Sequence, residues 1–131
     1  HGVAGESDGA WWFATVDRPE GMAFSPSGDL LFVDAARNKV RSVAFAAPGE
    51  ASNVTTLSGD SENGEEYTDY MRGGAYNQAI FVHPRGIAVD NATGAAYVSD
   101  GAAVIRLLAN GTVGMLAGGY AGALTGNTYG R

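Results

Sequence analysis

Three Asn-x-Thr triplets, Asn53-Val54-Thr55, Asn91-Ala92-Thr93 and Asn110-Gly111-Thr112, carry the most specific chemistry in this chain. Each fits the acceptor pattern for an N-linked glycan, a modification that needs an exposed Asn in a secreted protein. A second group is aromatic: Trp11, Trp12 and Phe13 in a row, and Tyr67, Tyr70 and Tyr76 further on. Exposed rings with a polar edge suit sugar or protein surfaces, and Trp12, Tyr67 and Tyr70 are the candidate binding residues. A third group is acidic, with Asp60, Glu62, Glu65, Glu66 and Asp69 set against Arg72. Carboxylates are hard donors for Ca²⁺, but this run lacks the spacing and glycine of an EF-hand loop. It reads as a solvated loop, and no metal site is assigned.

Catalytic machinery is not visible. His1 and His83, with no Cys at all, fall short of the three protein ligands of a typical catalytic zinc. There is no Gly-x-Ser-x-Gly elbow and no His-Glu-x-x-His, and Gly118-Gly119-Tyr120-Ala121-Gly122 matches no P-loop spacing. No carboxylates pair at matched positions, so general acid and base chemistry has no seat. The expectation is a non-enzymatic chain without a cofactor.

The elements that position these residues are legible from a repeat. Arg18-Pro19-Glu20-Gly21-Met22-Ala23-Phe24 returns as His83-Pro84-Arg85-Gly86-Ile87-Ala88-Val89, a shift of 65 positions. A supersecondary unit copied at such a period marks a repeat architecture. The same shift pairs Val33 with Val98, Arg41 with Arg106 and Trp11 with Tyr76. On that pairing Arg41 and Arg106 bridge neighbouring repeats, and Trp11 packs between them. Short apolar runs between turn signals give four strands per unit, a to d. In the first they are Gly21 to Phe24, Asp29 to Val33, Lys39 to Phe45 and Val54 to Ser58. In the second they are Gly86 to Val89, Ala95 to Ser99, Val104 to Leu108 and Thr112 to Ala117. Ser25-Pro26-Ser27-Gly28, Asp90-Asn91-Ala92-Thr93-Gly94 and Asn110-Gly111 are hairpin turns, so pairing is local and antiparallel. Val3-Ala4-Gly5, Leu57-Ser58-Gly59 and Leu116-Ala117-Gly118 mark the end of strand d each time.

At 131 residues and 45% hydrophobic content the chain has one domain's length and enough apolar matter for a packed core. A net charge of −6 disfavours nucleic acid and anionic lipid, and no apolar run approaches the length of a membrane span. No nucleic-acid contact and no membrane insertion are expected. A first residue of His rather than Met points to a processed product or an excised fragment, and no secretory leader is visible.

The order Pro-x-Gly-[Ile/Met]-Ala, then [Tyr/Phe]-Val-x-Asp-like residues, then [Val/Ile]-Arg, then Leu-[Ala/Ser]-Gly resembles the NHL repeat, the blade unit of a β-propeller family. The resemblance covers almost the whole chain. It departs where Ser25 replaces the Asp that Asp90 supplies, and where the second unit has no counterpart of Asn38. It implies an all-β fold: a β-propeller segment of two four-stranded antiparallel blades, strand a innermost and d at the rim, incomplete as a ring by itself. Residues 1–18 are then an incoming linker, 19–58 the first blade, 59–83 an acidic linker, 84–117 the second blade and 118–131 the start of the next linker. A lone pair would expose the face formed by Ile87, Val89, Val98 and Ile105. All three sequons would fall on the face of the a–b and c–d turns, Asn91 and Asn53 in such connections, with Trp12 on the opposite face. The function expected is a binding or assembly scaffold in an extracellular or cell-surface glycoprotein, completed by further blades or copies of itself, with a protein or carbohydrate ligand. The alternative is part of a metal-dependent propeller lyase or lactonase whose ligands lie outside this chain.

Overall fold

A computed structural model describes residues 4–5, 7–59, 81–108 and 113–118. Tyr67, Tyr70, Asn110 and most of the acidic linker lie outside them. Among the described residues nine strands follow in order: β1 (Gly9–Ala10), β2 (Pro19–Phe24), β3 (Leu30–Asp34), β4 (Lys39–Ala47), β5 (Glu50–Ser58), β6 (Pro84–Val89), β7 (Ala96–Asp100), β8 (Ala103–Leu107) and β9 (Val113–Gly118). They form two antiparallel sheets, ordered β1-β5-β4-β3-β2 and β6-β7-β8-β9. The four-strand meander recurs in both. The first sheet has a fifth strand, because Gly9 and Ala10, placed by sequence in the linker, pair with Val54 and Asn53 on β5.

Local chemistry closes the turns as the sequence implies. Ser25 Oγ accepts from the Asp29 amide at 3.2 Å, while Asp90 Oδ1 accepts from the Ala92 amide at 2.9 Å, so in each turn the side chain of the first residue bonds the backbone ahead of it, four residues on in one and two in the other. Gly59 and Gly118 both have positive φ, 109° and 83°. A Cβ on either would run into a backbone carbonyl, that of Asn38 or of Ala102. The Leu-x-Gly mark is thus a glycine requirement at the end of each sheet.

Strand pairing corrects the constant shift of 65. The β2–β3 connection has five residues (25–29) and the β6–β7 connection six (90–95), so Phe32, not Val33, corresponds to Val98. The next connection has four residues (35–38) against two (101–102), so Arg41 corresponds to Ile105 and Ser42 to Arg106. Unequal turns move the register, and a one-residue slip sends a side chain to the other face. Arg41 is fully buried, whereas Arg106 is exposed.

The main core lies between the sheets. Leu31, Val33 and Val40 on one face of the first sheet meet Val98, Ile105 and Leu107 of the second, with Ile87, Val89 and Leu57 packed at the margin. The face expected to be bare is therefore covered, because the second blade seats it on the first. The opposite face of the first sheet, Phe32 and Val54, is covered by Ala14 and Val16 of the incoming segment.

One buried carboxylate holds each incoming segment to its sheet. Asp34 accepts from the Asp17 and Arg18 amides at 3.0 and 2.9 Å. Asp100 accepts from the amides of Val82 and His83 in the same arrangement. Arg41 does not bridge blades as the repeat implied: it donates to the carbonyls of Thr15 and Ser7 and to Asp8, locking the incoming segment down. Its guanidinium also lies 5.9 Å from the Phe32 ring centroid.

Candidate functional site

A cleft of about 760 Å³ opens between the two sheets at the end bearing the β2–β3 and β6–β7 turns. Its apolar floor is Leu31 and Leu57 from the first sheet with Ala96 and Leu107 from the second. Hydroxyls of Ser25, Ser27, Ser42, Thr55 and Thr93 and the Asp29 carboxylate rim it. The Ser25 and Ser27 hydroxyls are 2.8 Å apart, and Ser27 lies 3.5 Å from Asp29. An apolar base with a few convergent polar groups is the common form of a small-ligand site. Neutral hydroxyls and one carboxylate equip it to hold hydroxylated or cationic groups, with no second carboxylate among the described lining residues. Among the described residues no three His, Asp or Glu side chains cluster to hold a metal.

Two sequons converge here. Asn91 and Thr93 line the cleft from the exposed β6–β7 turn, and Thr55 lines it from β5. Asn53 is exposed, but it sits within β5 opposite Ala44 rather than in the c–d connection, since β4 and β5 extend to Ala47 and from Glu50. Longer pairing has shortened that turn. Thr93 Oγ1 accepts from the Ala95 amide at 3.2 Å, so its hydroxyl also closes the turn.

A second feature stands beside Asn53. Trp11, Trp12 and Phe13 are all exposed on a tight turn in which the Ala10 carbonyl accepts from the Phe13 and Ala14 amides at 2.8 and 2.9 Å. Trp11 and Trp12 meet edge to face with centroids 5.7 Å apart, and Phe13 lies 6.0 Å from Trp12. Trp11 does not pack between blades. Nor is the cluster on a sequon-free face: Ala10 pairs with Asn53, and the Trp11 amide donates to the Ser52 carbonyl at 3.1 Å. The strand β1, which propensity alone does not reveal in a Gly-Ala pair, carries the turn there.

Sequence reasoning missed the cleft, because its lining comes from strands of both repeats. It also missed the two carboxylate clamps, although Asp34 and Asp100 end equivalent strands. Burial pushes the Asp100 carboxyl above the usual carboxylate range, opposed by the amide hydrogen bonds of His83 and Val82.

No family model matches this chain, and no curated protein does. Among solved structures 24 chains match. One is a luciferin-regenerating enzyme, a β-propeller, which superposes with a TM-score of 0.55 at 17% identity over 79% of this chain. This chain spans only 30% of that one. At such identity the likeness is one of fold, and with the two open sheets it makes this chain an all-β, two-blade β-propeller segment that does not close a ring by itself.

Proposed function

We propose that the chain is an NHL-like pair of blades acting as a non-enzymatic binding scaffold within a secreted or cell-surface glycoprotein. The observation that carries this reading is the aromatic turn. Three large rings are held exposed by backbone hydrogen bonds, where the repeat offers Tyr76, Asn77 and Gln78 instead, so the fold itself does not demand them. Rigid aromatics of this kind gain contact area at small entropic cost against a sugar or protein surface. Binding of glycans or candidate protein partners is expected to fall on Trp12→Ala, and unchanged binding would remove the reading. Intact mass before and after enzymatic deglycosylation, on material from a glycosylating host, checks Asn53, Asn91 and Asn110 directly.

A second reading, part of a propeller enzyme whose metal ligands lie outside this chain, draws support from the structural neighbour, a luciferin-regenerating enzyme. Stoichiometric metal and turnover in the complete assembly would favour it over the scaffold.

A further inference from the structure

Apart from the aromatic turn, the large apolar side chains left exposed among the described residues are Met22, Phe24, Val104 and Leu116. Strand pairing gives each a counterpart in the other blade, and every counterpart packs at the interface between blades. Met22 and Phe24, 53% and 60% exposed, stand where Ile87 and Val89 stand in the second blade. Val104 and Leu116, 36% and 45% exposed, stand where Val40 and Leu57 receive that blade. One outer face therefore repeats the seating half of the internal interface, and the other repeats the receiving half.

The inner strands agree. A Cβ at Gly21 would lie 2.7 Å from the Arg85 carbonyl oxygen and 2.8 Å from the Gly86 Cα, so β6 approaches β2 at backbone distance. At the equivalent Gly86 only Ser99 Oγ lies near, at 3.1 Å, which leaves room for a further inner strand to approach in the same way. Charge is complementary too. Arg85 reaches Glu20 across the internal interface at 3.5 Å, and these two residues occupy equivalent positions. Between copies, Glu20 of one chain would again face Arg85 of the next, giving alternating signs around the inner rim.

We propose that the partner of both outer faces is a second copy of this chain, bound head to tail, and that three copies close a ring of six blades. Heterologous contacts form rings when the rotation closes. The rotation that relates the two blades within the chain is the one the contact repeats. The aligned part of the chain fills 30% of the neighbouring propeller, so about three such segments fill it. This inference rests on the chain being a propeller scaffold.

Sedimentation of the 131-residue chain at micromolar concentration tests it. A single species of three chains is expected, and a monomer throughout overturns the proposal. Met22→Asp and Leu116→Asp, on opposite faces, should each weaken assembly by roughly 100-fold. Mixed in equal amounts they retain one intact pair of faces and should form a two-chain complex and nothing larger. Failure of the two variants to associate overturns head-to-tail docking even where each folds. A monomeric wild-type chain that still binds glycan or protein through Trp12 would overturn the ring and leave the scaffold reading standing. A three-chain ring with stoichiometric metal and turnover would uphold the ring and overturn the scaffold.

Discussion

Asp34, Asp100 and Arg41 do the anchoring in this chain, and each does so from full burial. Asp34→Ala removes the acceptor of the Asp17 and Arg18 amides, a loss of about 2–4 kcal/mol readable by urea denaturation. Asp100 also carries a pH signature. Its carboxyl is raised in the folded chain above the ordinary 3.8, so the folded state keeps this proton to higher pH than the unfolded chain does. Its contribution to stability is therefore complete below that ordinary value and declines as pH rises through the raised one. Asp100→Asn is expected to flatten the stability profile over mildly acidic pH, and an unchanged slope would show that another group sets it. Arg41→Ile tests the register correction, since Ile105 already fills the corresponding place. The sheet should persist while residues 7–16 lose their hold, seen as faster amide exchange there, at a cost of about 3–5 kcal/mol.

At the scale of the element, the turns set what the strands can repeat. Gly28 and Gly59 both have positive φ, yet a side chain at Gly28 would meet nothing within 4 Å, whereas one at Gly59 would strike the Asn38 carbonyl. Gly28→Ala should cost about 1 kcal/mol, the left-handed penalty alone. Gly59→Ala should cost more than about 2 kcal/mol, because strain and collision add. Thermal melts of the two variants make the comparison. These glycines, the Pro-x-Gly starts and the β2–β3 and β6–β7 turns were readable in the sequence because they report backbone geometry that only certain residues tolerate. Strand order was readable for the same reason. Register was not: the sheets hold Arg41 and Arg106 on opposite faces through turns of unequal length, and a fixed shift along the chain averages such differences away.

For the whole molecule, association should follow charge as well as apolar area. Arg85→Glu places two carboxylates at the inner rim and is expected to raise the concentration needed for assembly. Adding Glu20→Arg restores opposite signs and should recover it, with the difference shrinking as salt rises. Sedimentation of the single and double variants at low and high ionic strength checks both points.

The all-β class, the doubled meander, the turn chemistry and the three sequons followed from the sequence alone, since each depends on local residue types at short spacing. Tertiary structure decided what those features sit beside. It seated the Ile87 and Ile105 face on the first blade and left Met22, Phe24, Val104 and Leu116 bare. It brought Thr55 and Asn91 to one cleft, and it carried Trp12 to the strand of Asn53 through a two-residue edge pairing. Such neighbours arise from how one sheet's face packs on another's, a relation between distant segments that periodicity along a single chain does not encode.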